Sequence, residues 1–314
     1  MNKSIISFDD APEAERFFYG GNAGAKEAII YDNAVWMIKY PKTTRDLVKP
    51  QISYTTSPLS EYLGTKIYES LGLPVHEVLL GVRKNKVVVA CKDFTQSDVA
   101  PVKAKTLIPF HDLKNRFMAN DLDEYSGTGS ETFLDEVLAT IEGEKNLKKV
   151  GGVLERFWDM FVVDAFIDNN DRNNGNWGLL EDNTTGKIEL TPIYDNGNAF
   201  FNKKSLKQMQ SRLENESWMQ EDAYKSPTCV YKYRGLDSDS YKIHPFEFIR
   251  KGDNDDCTRA VSRFLKRLDM DKIRTLIHNI PKSTGSLSVM PHIQKEFYLE
   301  LLKIRLEQLK LGVD

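Results

Sequence analysis

The sequence predicts an α+β protein with two unequal lobes, a small strand-rich lobe followed by a larger, mostly helical one. Between about residues 20 and 95, short runs of β-branched and aromatic residues alternate with turn signals, which is typical of strands. Beyond them, apolar residues recur mostly at helical spacing. We therefore divide the chain into an N-lobe, residues 1–95, and a C-lobe, residues 96–314.

Four strands and one helix are predicted in the N-lobe. The strands cover residues 28–31, 35–40, 75–80 and 86–91. The turn residues 32–34 separate the first two strands, which should pair as a hairpin. Residues 61–71 carry apolar side chains at helical spacing, and Gly72 ends that helix.

The C-lobe contains an apolar run, residues 157–167, that predicts a buried helix. Residues 177–180 and 187–194 predict a hairpin after it, and further helical stripes follow toward the C-terminus. The polar stretches 95–105 and 215–240 predict loops or mobile insertions.

Composition excludes several classes of protein. A net charge of −3 and a pI near 6.0 give no general attraction to nucleic acid or to an anionic membrane. Three cysteines without a C-x-x-C pair predict neither a disulfide framework nor a zinc site. The sequence shows no apolar run of 18 residues and no signal peptide, so we expect no membrane span and a cytoplasmic protein. Secretion by a route that needs no signal peptide stays open.

A polar segment, residues 168–176, carries the chemistry. Asp171 and Asn176 stand in D-x-x-x-x-N spacing, and Asp195 follows the predicted hairpin in a second Asp-x-Gly. Phosphoryl transfer needs a carboxylate beside the attacking hydroxyl and oxygen ligands for Mg²⁺. Asp171 suits the first role, while Asn176 and Asp195 suit the second. Asn, Asp and Gly are also ordinary loop residues, but the combined spacing favours an ATP-dependent kinase.

A kinase also needs a small-lobe lysine on its nucleotide phosphates and an acidic partner for that lysine. Lys39 ends a predicted strand, and Glu61 opens the predicted helix, so we expect them to pair. A glycine-bearing stretch before the first strand is the candidate phosphate-covering loop. Its candidate nucleotide contacts are Gly20, Gly21, Asn22, Gly24 and Lys26. The stretch is neither a Walker A motif nor G-x-G-x-x-G, so alone it is a weak signal.

Together these motifs resemble the HipA-like serine/threonine kinases, from about residue 20 to the C-terminal helices. The resemblance implies a two-lobed protein-kinase-like fold that binds ATP and Mg²⁺ and phosphorylates a protein. It implies that Asp171 is catalytic, that Lys39 contacts the phosphates, and that Asn176 and Asp195 bind magnesium. It also implies that residues 89–94 form the adenine-binding hinge, with Lys92 and Asp93 as candidate contacts.

The sequence departs from the family pattern in three ways. The family usually has Gly-Asn-x-Asp-Arg-His, where this chain has Asp168 for the glycine and Asn173 for the histidine. Residues 20–26 contain no serine, so the loop autophosphorylation of many HipA-like proteins is not expected. The chain begins almost at the glycine stretch, and a small antitoxin or N-subdomain-like partner protein could supply what full-length HipA toxins carry before it.

Three kinds of function stay open on the sequence. The first is a protein serine/threonine kinase acting on a protein substrate. The second is a kinase for a small molecule or lipid, although no His-Gly-Asp precedes the loop and no basic membrane-facing cluster stands out. The third is a catalytically weak component of a toxin–antitoxin system, against which the presence of the four candidate residues argues.

Overall fold

A five-stranded sheet and one helix form the N-terminal part of the structure, a computed structural model that describes residues 5–15, 17, 26–47, 51–97, 100–121, 127–225, 229–235 and 239–312. The strands are β1 (Ile6–Ser7), β2 (Lys26–Tyr31), β3 (Ala34–Lys39), β4 (Val78–Arg83) and β5 (Lys86–Lys92). They lie in the order β1-β4-β5-β3-β2, and β1 pairs in parallel with β4 while the other pairs are antiparallel.

Two tight turns fix the register of this sheet. Asp32 and Asn33 join β2 to β3, and Lys84 and Asn85 join β4 to β5, all four with positive φ between 47° and 56°. Two consecutive residues of positive φ are typical of the hairpin turns whose twist matches that of the strands. The β2–β3 register places Lys26 opposite Lys39.

Helix α1 (Ser57–Ser70) lies between this sheet and the rest of the molecule. It begins four residues before the predicted start, because Pro58 fits the first turn of a helix. Its apolar side chains Leu63 and Ile67 are fully buried in the main core. Backbone contacts also attach the helix start to the C-terminal part, since Thr56 donates its N–H to Asn202 O at 2.8 Å.

The C-terminal part is mostly helical. Its helices are α2 (Phe110–Asp121), α3 (Leu134–Gly143), α4 (Lys145–Lys149), α5 (Val153–Ile167), α6 (Leu206–Leu213), α7 (Glu216–Gln220), α8 (Pro245–Lys251), α9 (Asp255–Arg267), α10 (Met270–Asn279) and α11 (His292–Lys310). The predicted buried helix lies within α5, where nearly every side chain from Phe157 onward is buried. This helix delivers the chain into the polar segment at residue 168.

Three strands lie next to the two candidate magnesium ligands, since Asn176 precedes the second strand and Asp195 follows the third. They are β6 (Lys105–Pro109), β7 (Gly178–Asp182) and β8 (Ile188–Leu190), paired in that order and antiparallel. The hairpin β7–β8 confirms the predicted one, although β8 ends at Leu190 instead of running to residue 194. Strand β6, which begins at the last residue of the predicted loop 95–105, was not foreseen.

The loop prediction for residues 215–240 is wrong over much of its length. Helix α7, a π-helical turn (Glu221–Lys225), strand β9 (Lys232–Arg234) and the start of β10 (Ser240–Lys242) occupy this stretch. Polar composition misled the prediction, because the few apolar side chains there, such as Met219 and Ala223, are buried in the core. A last short hairpin, β11 (Ser283–Thr284) with β12 (Leu287–Ser288), precedes α11.

Across the described ranges, none of the helices has both the length and the apolar character needed to cross a membrane.

Candidate active site

Lys39 lies at the end of β3 between two carboxylates. Its Nζ is 2.8 Å from Glu61 Oε2 on α1 and 2.9 Å from Asp195 Oδ1, which follows the β7–β8 hairpin. Glu61 is fully buried, and about a third of the Asp195 side chain is exposed. The salt bridge expected between Lys39 and Glu61 is therefore present, and Asp195 joins it.

The electrostatics of this cluster keep all three groups charged. Burial by itself lowers the pKa of Lys39, but Asp195 and Glu61 outweigh it and raise that pKa well above its usual value. Burial by itself raises the pKa of Glu61, but Lys39 and His76 outweigh it and lower that pKa. The adjacent Lys39 charge lowers the pKa of Asp195, against burial.

Arg172 fixes the two candidate magnesium ligands relative to each other. Its Nη1 donates to Asn176 O at 3.2 Å and also to Tyr194 O, the carbonyl directly before Asp195. Asn176 is further held by its own side chain, whose Nδ2 donates to Asp171 O at 2.7 Å. Asp195 adopts a left-handed backbone conformation with φ of 61°. The donor set offered here, a carboxylate and a carboxamide oxygen, suits the hard Mg²⁺ ion.

The other side of Arg172 is paired with Asp164 on α5. Arg172 Nε lies 2.9 Å from Asp164 Oδ2, and Arg172 Nη2 donates to Asn196 Oδ1 at 2.5 Å. Burial lowers the pKa of Arg172, but Asp164 and Tyr68 outweigh it and raise that pKa. Sequence reasoning gave Arg172 no role of its own, since its partner Asp164 stands within an apolar run that predicts only a core helix.

The catalytic candidate Asp171 receives support from its own loop. Asn173 Nδ2 donates to Asp171 Oδ1 at 3.0 Å, and Asn173 Oδ1 accepts from Gly175 N at 2.9 Å. Asn173 thus donates a hydrogen bond to Asp171 from the position where the family usually carries histidine. Asp171 also lines a cleft of about 220 Å³, and Lys39, Glu61 and Asp195 line the same cleft.

Asp168 shows why a glycine is usual at the start of this loop. It ends α5 with φ of 59° and ψ of 43°, a left-handed conformation that costs glycine nothing and that aspartate tolerates. Its buried carboxylate lies 3.4 Å from Arg305 Nη2 of α11. Burial raises the pKa of Asp168 to about 6, against the lowering effect of Arg305.

Of the nucleotide contacts predicted in the glycine-bearing stretch, the structure describes Lys26. Gly20, Gly21, Asn22 and Gly24 lie outside the described residues. Lys26 lies directly across from Lys39. Burial and the neighbouring Lys39 lower the pKa of Lys26, and the carboxylates of Asp195 and Glu61 offset this lowering only in part.

The two hinge candidates face other partners. Lys92 lies opposite Trp36 in the sheet, three positions along β3 from Lys39, so the two lysine side chains point to opposite faces. The Nζ of Lys92 lies 3.1 Å from the exposed Glu77. The structure therefore does not bring the Lys92 side chain to the cluster. Asp93 Oδ1 accepts from Thr95 N at 2.8 Å, so this carboxylate stabilises the turn after β5. Nucleotide binding by either residue stays a prediction.

One residue at the cluster was missed entirely. His76 Nε2 lies 3.2 Å from Glu61 Oε1, the carboxylate oxygen that Lys39 does not use. His76 is 4% exposed and sits in the connection between α1 and β4. The only sequence signal was a lone histidine within the predicted strand 75–80, and such a histidine is usually a structural residue.

Known proteins are similar to this chain in sequence and in fold. The family profile described as the HipA-like C-terminal domain matches residues 21–268. The serine/threonine-protein kinase CtkA of Helicobacter pylori strain J99 is 35% identical over 288 residues, which is 91% of this chain and 81% of the relative. The crystal structure of a Helicobacter pylori proinflammatory kinase CtkA superposes with a TM-score of 0.83 at 30% identity, and the match covers 98% of this chain and 97% of that one.

A more distant structure shows the fold alone. It is the toxin–antitoxin complex of HipA, HipB and operator DNA from Shewanella oneidensis MR-1, with a TM-score of 0.51, 11% identity and coverage of 96% of this chain and 66% of that chain. The similarity to CtkA confirms the predicted two-lobed, kinase-like α+β fold. The extent of the profile match and the identity to CtkA show that this chain belongs to the HipA-like family.

Proposed function

We propose that this protein is an ATP- and Mg²⁺-dependent protein serine/threonine kinase. The observation that carries the proposal is that Lys39, Glu61, Asp195 and Asp171 line one cleft, with Lys39 paired to both Glu61 and Asp195. These residue types, gathered in one cleft, are those that phosphoryl transfer uses, which supports the proposal. The similarity to CtkA supports a protein as the acceptor.

The candidate residues suggest a division of labour. Lys39, kept charged by Glu61, would bind nucleotide phosphate oxygens, and Lys26 on the adjacent strand would add a second positive charge. Asn176 and Asp195 would hold Mg²⁺, which when bound neutralises charge on the phosphates. Asp171 would orient the acceptor hydroxyl and accept its proton as the oxygen forms a bond to the γ-phosphorus. The bond from that phosphorus to the bridging oxygen then breaks, and ADP leaves.

The loop itself explains how Asp171 could be ready for this task. Its carboxylate is held by Asn173 through one oxygen, and the cleft gives an acceptor access to it. Arg172 meanwhile ties the loop to the residue that precedes Asp195. The base and the metal ligands therefore share one buried support, which favours a fixed catalytic geometry.

The test is transfer of labelled phosphate from ATP to a generic protein acceptor with Mg²⁺, for the wild type and for Asp171→Asn. We expect the variant to lose roughly 10²–10⁴-fold in rate, the usual cost of losing a positioned base. Its affinity for ATP should stay nearly unchanged, because Asp171 acts on the acceptor. A variant with more than half of the wild-type rate would remove Asp171 from the catalytic role. Label on a small molecule or lipid instead of protein, or ATP binding without turnover, would point to the two other functions that the sequence leaves open.

A further inference from the structure

A buried chain of hydrogen bonds joins the Lys39–Glu61 pair to the catalytic loop. From Glu61 Oε1 it passes to His76 Nε2 at 3.2 Å, and from there to Thr65 Oγ1 at 3.5 Å. Asn196 Nδ2 donates to the same Thr65 oxygen at 3.0 Å. Asn196 Oδ1 in turn accepts from Arg172 Nη2 at 2.5 Å.

Every member of this chain is removed from water. Glu61, Thr65 and Asn196 are fully buried, His76 is 4% exposed and Arg172 is 2% exposed. A buried hydrogen bond gains strength from its low-dielectric surroundings, and a buried polar group that loses its partner is costly. Losing the links at Glu61, Asn196 and Arg172 would therefore be costly. The 3.5 Å contact between Thr65 and His76 is the longest and weakest link, because His76 Nε2 also lies against Glu61.

The chain connects elements that have different tasks in the proposed reaction. Glu61 and Thr65 stand one helical turn apart on α1, with Glu61 toward Lys39 and Thr65 toward the loop that follows Asp195. Asn196 is the neighbour of the candidate metal ligand Asp195, and Arg172 is the neighbour of the candidate base Asp171. The path therefore runs from the phosphate-binding lysine to the catalytic loop without crossing solvent.

The helix and the loop also meet with no room between them. A β-carbon at Gly64 would lie 2.7 Å from Asn196 Cβ, closer than real contacts of this kind. Ser60 Oγ adds a hydrogen bond to Ala199 O at 2.8 Å, further along the same loop. The hydrogen-bonded side chains thus cross a tightly packed interface between α1 and the loop after Asp195. Because the packing is tight, a shift of α1 should move this loop as well.

The hydrogen-bond chemistry requires a hydroxyl at position 65. Asn196 Nδ2 is a donor, so it needs an acceptor there, and the threonine oxygen also lies within reach of His76 Nε2. Valine has the same shape but leaves the Asn196 amide without this acceptor inside the core. Serine keeps the hydroxyl and removes only a methyl group.

We propose that Thr65, together with Asn196, is a positioning residue that fixes the Lys39–Glu61 pair relative to the catalytic loop. This inference rests on the proposed kinase function. Thr65 touches neither nucleotide nor acceptor in this scheme, and it acts through its neighbours. Its loss should lower kcat while leaving the KM for the acceptor nearly unchanged, because the parts remain present but are no longer held in register.

The experiment compares Thr65→Val, Thr65→Ser and Thr140→Val for kcat, for the KM of ATP and of a protein acceptor, and for thermal stability. Thr140 is an equally buried threonine on α3 whose hydroxyl donates to Glu136 O at 2.7 Å within its own helix. It therefore controls for the loss of a buried hydroxyl away from the site. We expect Thr65→Val to lose about 5- to 10-fold in kcat, which is the rate factor that corresponds to the free energy of one hydrogen bond. Thr65→Ser should recover most of the rate, and Thr140→Val should show no comparable loss.

Adding Asn196→Ala gives a double-variant cycle. If the two residues act through each other, Thr65→Val should have little further effect on kcat in the Asn196→Ala background. The inference fails if Thr65→Val stays within twofold of an active wild type, if serine is as damaging as valine, or if Thr140→Val loses as much. A wild type that transfers no phosphate would overturn the proposed function and this inference with it, whereas an active wild type with an unaffected Thr65→Val overturns this inference alone.

Discussion

Asn173 and Asp168 differ from the residues usual in the family, yet the catalytic loop keeps a hydrogen bond to Asp171 and a left-handed residue at its start. Asn173 supplies the hydrogen bond to Asp171 that orients its carboxylate, although it cannot carry a proton as a histidine can. Asp168 accepts a left-handed backbone that suits glycine better, and its carboxylate lies close to the buried Arg305. Burying the Asp168 carboxylate in this way destabilises its charged form.

We predict that Asp168 makes the stability of the protein fall as the pH rises through about 6. The folded-state pKa of Asp168 is raised to about 6, above the value of about 3.9 for an unfolded aspartate. The folded state therefore binds the proton more tightly, so this stabilising contribution is complete below about pH 4 and is lost as the pH passes about 6. A shift of this size corresponds to about 3 kcal/mol.

The measurement is the free energy of unfolding of the wild type and of Asp168→Asn between pH 4 and pH 7. Asparagine keeps the left-handed preference but cannot ionise. We expect the variant to gain stability relative to the wild type as the pH rises, with the smallest difference at pH 4. A difference that stays constant over this range would show that Arg305 fully offsets the cost of burying the charge.

Two elements bring the site together, the β7–β8 hairpin and helix α1. The hairpin returns the chain so that Asn176, just before β7, and Asp195, after β8, are held by the same arginine. Helix α1 lies against the loop after Asp195 and carries Glu61 to Lys39. The site is thus built where these two elements meet.

Gly64 should be essential to the contact between α1 and this loop. In an open helix, alanine would be favoured over glycine by about 1 kcal/mol. Here its β-carbon would meet Asn196 Cβ at 2.7 Å, and overpacking of this kind typically costs about 1–3 kcal/mol. We therefore expect Gly64→Ala to lower both the free energy of unfolding and the phosphotransfer rate. Gly151→Ala is the control, since a β-carbon there would meet nothing within 4 Å; equal behaviour of the two variants would contradict the argument.

We predict that Asp195→Ala weakens Mg²⁺-dependent nucleotide binding more than Asn176→Ala does. A carboxylate supplies a full charge to the ion, whereas a carboxamide supplies only a dipole. Calorimetry with a non-hydrolysable ATP analogue, with and without Mg²⁺, measures the effect. Glu189→Ala removes a half-exposed carboxylate from β8 of the same hairpin and should leave binding unchanged. Equal affinity of the wild type with and without Mg²⁺ would contradict the metal assignment.

At the scale of the whole molecule, local sequence patterns predicted most helices and strands. Contacts between side chains far apart in the sequence became known only from the structure. The hairpins, α5 and the placement of Lys39 depend on residues near one another in sequence, so their patterns were readable. The pairs Arg172–Tyr194 and Glu61–His76 depend on how elements pack, which no single window of sequence contains. The stretch 215–240 was misjudged for the same reason, since a few buried side chains outweigh a polar composition.

The ion pairs of Lys39 extend across the molecule from the N-terminal sheet to the loop after β8. Lys39→Met leaves Glu61 fully buried with only His76 as a charged or polar partner among its described contacts. Breaking a buried pair by removing one member typically costs about 3–5 kcal/mol. Lys66→Met, which breaks a surface pair with Glu69 at 2.8 Å, should change stability by less than about 1 kcal/mol.

The last prediction separates the structural role of this pair from its proposed catalytic role. We expect Lys39→Met to lower the free energy of unfolding strongly and Glu61→Gln to lower it less, because glutamine keeps the shape and one acceptor oxygen for His76. The double variant Lys39→Met with Glu61→Gln should regain much of the stability, since no fully buried carboxylate is left without a partner. Asp195 also loses Lys39, but about a third of its side chain is exposed to water. It should nevertheless transfer no more phosphate than Lys39→Met alone, because the nucleotide phosphates still lack their cation. Denaturant unfolding and labelled-phosphate transfer on the same four proteins measure both effects. Recovery of the transfer rate along with stability would mean that Lys39 acts only in folding, and would leave the phosphate contact to Lys26 or the preceding backbone.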